Sequence, residues 1–272
     1  MLDGTRIAIV GIGNIGRILL ARLRAADVPT GNLIVCDADP DRAAAARNKY
    51  GVRIASLADP ALCEVDLLLL ASPPNAVPEI VAALAPRLRA GQVVVSMAAA
   101  VPLKLLESLV PAGVVVVRVL PNAPSLVGQG MNPVCYPETV TPQAQALVEA
   151  VLAILGATVG VRDEQMNWCV GLSGAAMRSL LPALEGMTRA GIEAGLTPEA
   201  SRRVAAQVML GTAALVLETG LSLEQIKMLT PMQTVDEPVV AAQFLEAARA
   251  AQVKIDSNQR KLMEAWGGDG VG

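Results

Sequence analysis

The chain has 272 residues, 53% apolar and 17% charged, enough apolar side chain to bury one large core or two ordinary ones. A formal net charge of −3 without any basic run gives no footprint for nucleic acid, and no apolar stretch reaches the ~18–20 residues of a bilayer span, so neither nucleic acid nor a membrane is an expected partner. The absence of histidine removes the commonest general acid–base and metal ligand.

Cys36, Cys63, Cys135 and Cys169 lie far apart without a CxxC pair, which predicts small buried hydrophobes and no metal site. The N-terminal MLDGTRIAIVG carries no charged lead, apolar segment or cleavage site, so a cytoplasmic location is expected. Aromatics are only 2%, and the Ala, Leu and Val surplus predicts helices packed through small side chains with apolar surface left for a subunit interface.

Residues 5–10 (TRIAIV) read as a strand, GIGNIG as a turn, and RILLARLRAA as a helix with apolar positions at helical spacing. NLIVCDADP is a second strand ending at Asp37, followed by an Ala-rich helix stopped at Gly51. VDLLLLASPP, QVVVSMAAAV and GVVVVRVLPN are further strands, apolar throughout, as strands of a parallel sheet covered on both faces must be. From about residue 141 the pattern changes, and strand-like runs end with ATVGV at 157–161. Helices are predicted over 173–196, 198–219, 222–229 and 237–265, with Thr197 capping and Pro198 first in its helix. The fold class is therefore α/β: a Rossmann-type doubly wound parallel sheet over 1–162, followed by an all-α domain over 163–272. The terminal GGDGVG is expected to fray.

Gly11, Gly13 and Gly16 form G-x-G-x-x-G directly after a strand and opening a helix, with Asn14 and Ile15 inside it. Gly11 allows the tight turn, Gly13 lets backbone approach a pyrophosphate, and Gly16 lets helix pack on strand. The helix N-terminus then offers free N–H groups to the phosphates. Asp37 stands where an acid accepts bonds from both adenosine ribose hydroxyls and repels a 2′-phosphate, favouring NAD(H) over NADP(H). Arg42, either a solvated helix residue or a phosphate partner, leaves room for the opposite choice.

Three segments carry a resemblance: VSMAAAVPLKLLESL at 95–109, VRVLPNAPSLVGQGM at 117–131, and the block from GLSGAAMRSLLPALEG at 171 to LETG at 220. Together they resemble pyrroline-5-carboxylate reductases, in order, from about residue 5 to 263. The resemblance implies a helical domain that dimerises by interleaving helices, sometimes into larger rings. It implies an active site at the dimer interface, where the nicotinamide delivers hydride to a cyclic imine, and neither metal nor histidine is needed. Cofactor contacts are expected at the C-terminal ends of strands, at Ala71, Ser72, Pro73, Asn75, Ser96, Ala98, Pro121 and Asn122.

The likeness is incomplete at the substrate positions. The family's Ser-Gly-Ser-Gly-Pro-Ala-Tyr corresponds here to Ser173, Gly174, Ala175, Ala176, Met177, Arg178 and Ser179. Its Ser-Pro-Gly-Gly-Thr-Thr loop corresponds to Thr230, Pro231, Met232, Gln233, Thr234 and Val235, and the lysine of its Ala-Val-Lys-Pro is absent from Ala71, Ser72, Pro73, Pro74. Substrate contacts are assigned to Ser173, Met177, Arg178, Met232, Gln233, Thr234 and Val235. Catalytic candidates are Thr234, Arg178, which could clamp a carboxylate or pair across a dimer, and Asp236, which could stabilise a protonated imine or cap the last helix.

The resemblance implies reduction of a cyclic imine by NAD(P)H in a homodimer or larger assembly, the substrate being a small imine or amino-acid-like molecule. A different imine or amine, and a non-catalytic nucleotide-binding paralogue, stay open as alternatives. A β-hydroxyacid-type dehydrogenase would want a catalytic lysine in the helical half, where no candidate stands out.

Overall fold

A computed structural model describes residues 2–266, and the expected tail GGDGVG lies outside them. The strands are β1 (Ile7–Val10), β2 (Leu33–Cys36), β3 (Arg53–Ile54), β4 (Leu67–Leu70), β5 (Val93–Ser96), β6 (Val115–Val119), β7 (Gly130–Cys135) and β8 (Gly156–Gly160). The helices are α1 (Asn14–Ala25), α2 (Pro40–Tyr50), α3 (Val77–Leu84), α4 (Leu103–Leu109), α5 (Pro142–Leu155), α6 (Met166–Cys169), α7 (Ala176–Glu193), α8 (Pro198–Glu218), α9 (Leu223–Met228) and α10 (Glu237–Trp266). Two compact units result, residues 2–174 with 250–266, and 175–249. The first includes the whole sheet and extends past residue 162, through the short α6 and a π turn over Val170–Ala175.

In the first unit the eight strands run in the order β3-β2-β1-β4-β5-β6-β7-β8. Alternate strand residues enter opposite layers, as a two-residue period requires. Ile7, Ile9, Leu67, Leu69, Val93 and Val95 pack with Leu19, Leu23, Val148 and Leu152 of α1 and α5, whereas Ala8, Val10, Leu68 and Leu70 pack with Val81, Leu84 and Leu106 of α3 and α4. Burying each such Leu or Ile contributes about 1.5–3 kcal/mol.

The expected doubly wound parallel sheet is present, with one antiparallel pairing within it. β7 runs antiparallel to β6, because the connection over 120–129 is a 3-10 turn too short for a helical crossover, whereas α5 carries the chain back to set β8 parallel to β7.

The first unit also holds an ion pair that the apolar strand pattern hides. Arg118 of β6 is 1% exposed and bonds Asp163, whose other carboxylate oxygen accepts the Leu103 N–H at 2.9 Å. All four cysteines are free and buried, and burial pushes their thiols upward.

In the second unit Thr197 Oγ1 accepts from Ala200 N at 3.2 Å with Pro198 opening α8, the expected cap. A Cβ on Gly191 would fall 2.7 Å from Ser201 Oγ, so glycine there lets α7 and α8 approach closely. No residue of α7 is buried, and α8 buries only Ser201 and Ala205. Val204, Val208, Leu210 and Leu217 are 52–81% exposed on more than one side of α8, more apolar surface than a lone solvated helix carries.

Candidate dinucleotide cleft and substrate loop

The strand order reverses between β1 and β4, and ligands of open α/β sheets collect at such a point, beyond the carboxyl ends of the strands. Register makes that edge level: Val10 pairs with Cys36 and with Leu70, and Leu70 pairs with Ser96. The residues that follow, Gly11, Asp37, Ala71 and Met97, therefore emerge side by side.

Gly11 has φ +98°, and a Cβ there would lie 2.7 Å from the Ala71 carbonyl carbon, so both conformation and space demand glycine. A Cβ on Gly16 would overlap Gly11 O at 1.9 Å. At Gly13 nothing lies within 4 Å, leaving the backbone open to a ligand. Gly13 is also the N-cap of α1 without any side-chain cap, and no acid occupies the first turn, so the N–H groups and positive dipole end are available to an anion.

A cleft of about 890 Å³ runs along this edge, lined among others by Gly11, Gly13, Asn14, Ile15, Asp37, Asp39, Arg42, Ala71, Ser72, Pro73 and Ala98. Asp37 is half-buried; its Oδ2 accepts from Ile12 N at 2.5 Å and its Oδ1 from Asp39 N at 2.8 Å. Burial and then the Asp37 charge push the Cys36 thiol up, so it stays protonated beside the carboxylate. Ser72 Oγ donates to Val10 O at 3.1 Å, tying the loop after β4 to β1. Backbone freedom at Gly13, an uncapped helix N-terminus and an acid at the end of β2 suit a dinucleotide.

Four of the contacts expected at the strand ends, Asn75, Ser96, Pro121 and Asn122, do not line this cleft, and Ser96 is fully buried. Asn75 is exposed and lines a neighbouring pocket of about 460 Å³ with Ala100, Lys261 and Trp266. Asn122 is buried with its amide already used: Nδ2 donates to Ser173 O at 3.1 Å and Oδ1 accepts from Met131 N at 3.1 Å. It links the turn after β6 to the π turn, and its own position in the chain gives no sign of partners so distant.

Asp39, Ser56, Leu57 and Met97 line the cleft without having been singled out from the sequence. Ser56 and Leu57 follow β3, and the rule that ligands collect at strand ends would have found them. Asp39 was legible as the acid before Pro40, a helix start.

Among the substrate candidates, Ser173 is buried in the π turn and its Oγ donates to Cys169 O at 2.7 Å. Met177 is half-buried and Arg178 exposed at the start of α7. Thr230–Val235 is irregular chain between α9 and α10, with Met232 80% and Val235 57% exposed; Gln233 and Thr234 are exposed too. Asp236 Oδ1 accepts from Val239 N at 3.2 Å, so it caps α10, and Glu237 pairs with Lys227 at 2.7 Å across the base of the loop.

Fold and cleft together define a Rossmann dinucleotide-binding protein. Residues 6–100 match the family described as NADP oxidoreductase, coenzyme F420-dependent, and residues 163–235 match the one described as pyrroline-5-carboxylate reductase dimerisation. The pyrroline-5-carboxylate reductase of Mycobacterium tuberculosis (strain H37Rv) is 35% identical over 225 residues, 80% of this chain and 76% of that one. That of Escherichia coli (strain K12) is 29% identical over 216 residues, 79% and 80% of the two chains. The solved pyrroline carboxylate reductase of Plasmodium falciparum with NADP bound has a similar fold, with TM-score 0.81 at 19% identity over 94% of this chain and 98% of that one. The chain belongs to the pyrroline-5-carboxylate reductase family, whose members are NAD(P)-dependent oxidoreductases.

Proposed function

We propose that this protein is a homodimeric or larger reductase of a carbon–nitrogen double bond in a cyclic imine, pyrroline-5-carboxylate foremost, with NAD(H) preferred over NADP(H). The observation that carries the reading is family membership over four-fifths of the chain joined to an open glycine-loop cleft. A bound nicotinamide cofactor supplies the hydride.

The chain's own residues bind and orient. Gly13 and the uncapped N-terminus of α1 receive the pyrophosphate, and the two lone-pair positions left on the Asp37 carboxylate take the ribose hydroxyls. Ala71, Ser72, Pro73 and Ala98 flank the nicotinamide half of the cleft. Hydride transfer takes place at the dimer interface, and the exposed apolar faces of α7 and α8 support such an interface. For the substrate, Ser173, Met177, Arg178, Met232, Gln233, Thr234 and Val235 are the residues assigned. Arg178 is the group suited to a substrate carboxylate and Thr234 to the ring nitrogen. A cyclic imine protonates readily near neutrality, so orientation rather than proton transfer does most of the catalysis.

One observation favours a second substrate. Met232 and Gln233 stand where the family's loop has two glycines, which adds exposed side chains where backbone would meet a small anionic imine. The test is oxidation of NADH and NADPH by purified protein with pyrroline-5-carboxylate beside other five- and six-membered cyclic imines, with and without carboxylates. Turnover of pyrroline-5-carboxylate is the expected result. Turnover of another imine alone would transfer the assignment to that substrate, and none with any imine would leave a nucleotide-binding paralogue without catalysis.

A further inference from the structure

Resting on the reading that the cleft holds a nicotinamide dinucleotide, we propose that Asp39 joins Asp37 in excluding a 2′-phosphate, through a charge held fixed beside Arg42. Arg42 is the one cation among the residues lining the cleft, and Asp37 and Asp39 are its acids. The lining of this cleft thus has one positive and two negative charges.

Arg42 Nε lies 3.1 Å from Asp39 Oδ2. Both side chains are partly exposed, and an ion pair of this kind is weak enough for a phosphate to compete with it. What a phosphate cannot do is move Asp39. Its Oδ1 accepts the Asp41 N–H at 3.0 Å and the Arg42 N–H at 3.3 Å, capping α2, while its own N–H is held by Asp37 Oδ1 at 2.8 Å. A phosphate reaching the Arg42 guanidinium therefore meets a carboxylate fixed about one hydrogen bond away. Like charges at that separation repel, an effect moderated by the solvent that reaches both side chains. A ribose with free hydroxyls carries no charge there and meets no such penalty.

Asp37 has a second task besides. Each of its oxygens already holds a backbone N–H, one from the glycine loop and one from Asp39, so it positions the loop as well as meeting the ribose.

The test is titration of NADH and NADPH binding to the full-length protein, wild type and variants, in low and moderate salt. Asp39→Asn keeps size and cap but removes the charge, since Asn caps helices as well as Asp. NADPH is expected to bind roughly tenfold more tightly to it, with NADH changed by no more than about twofold and the NADPH gain shrinking in added salt. Asp39→Ser, another good cap, should behave alike, and Asp39→Asn with Arg42→Ala should keep only the part of the gain that comes from relieved repulsion. Equal changes for both cofactors, or no NADPH gain in either Asp39 variant, would overturn the proposal. Wild-type protein that binds NADPH as tightly as NADH would overturn it too while leaving the imine reductase reading intact, whereas failure to bind either would remove both.

Discussion

The backbone nitrogen of Ile12 donates to Oδ2 of Asp37 at 2.5 Å, fastening the glycine loop to the end of the second strand. Removing that carboxylate therefore has two consequences, a looser loop and unpaired ribose hydroxyls. Asp37→Ala is expected to weaken NADH binding by roughly tenfold or more, since a hydrogen bond to a charged group contributes about 1.5–3 kcal/mol. NADPH should lose less, because a repulsive charge goes as well. Equal losses in a fluorescence titration would make Asp37 a purely structural residue.

Arg118 and Asp163 differ in exposure, 1% against 25%, and that asymmetry predicts unequal penalties. Asp163→Ala strands a buried guanidinium whose Nε and Nη2 already have no partner, and it should cost about 3–5 kcal/mol in urea unfolding. Arg118→Met leaves an acid that water can reach, and fills the space with an apolar chain. It should cost clearly less, and the reverse order would refute this account of the pair.

The Tyr136 hydroxyl is buried without a partner, and its pKa is pushed up to about 12, by burial first and then by the Glu149 charge. Above the ordinary phenol value near 10 the unfolded chain loses this proton while the folded chain keeps it. Stability from this residue is thus intact below about 10 and falls as pH rises from there towards 12. Tyr136→Phe should match or exceed wild-type stability at neutral pH and flatten part of the alkaline decline. An unchanged alkaline slope in melts of the two proteins would count against this.

Val204 and Val208 lie one helical turn apart on α8 and are 55% and 52% exposed. Placing Asp at both is expected to weaken self-association without unfolding the first unit. Light scattering during gel filtration would read the assembly. An assembly unaltered in size would mean that subunits meet through other surfaces.

Met232→Gly, Gln233→Gly and Val235→Thr together restore the family's loop at every position but Thr230. They should raise kcat/KM on pyrroline-5-carboxylate by roughly tenfold, about 1.4 kcal/mol of transition-state stabilisation. Absence of any gain in steady-state assays would show that these departures do not set specificity.

Much of the architecture was legible from neighbouring residues. The apolar runs over Ile7–Val10 and Leu67–Leu70, the glycine spacing after Val10, and Thr197 before Pro198 each encode a local geometry that needs no knowledge of the rest of the chain. The KMLTPMQTVDEP stretch was readable in part, since an acid before Glu-Pro is a helix-start signal, and Asp236 does cap α10. Its Lys227 to Glu237 pair was not, because it depends on the path of the loop between them.

By itself, then, the sequence determined the periodic elements, the turn that only glycine permits, the caps, and the kinship that points to imine reduction, all properties of short contiguous segments. Only the tertiary structure decided that β7 runs against β6, that an arginine sits within an apolar strand because Asp163 reaches it, and that Asn122 holds Ser173 rather than the cleft. Such facts depend on which groups meet across distant stretches of chain. Hydrophobic periodicity carries no record of that.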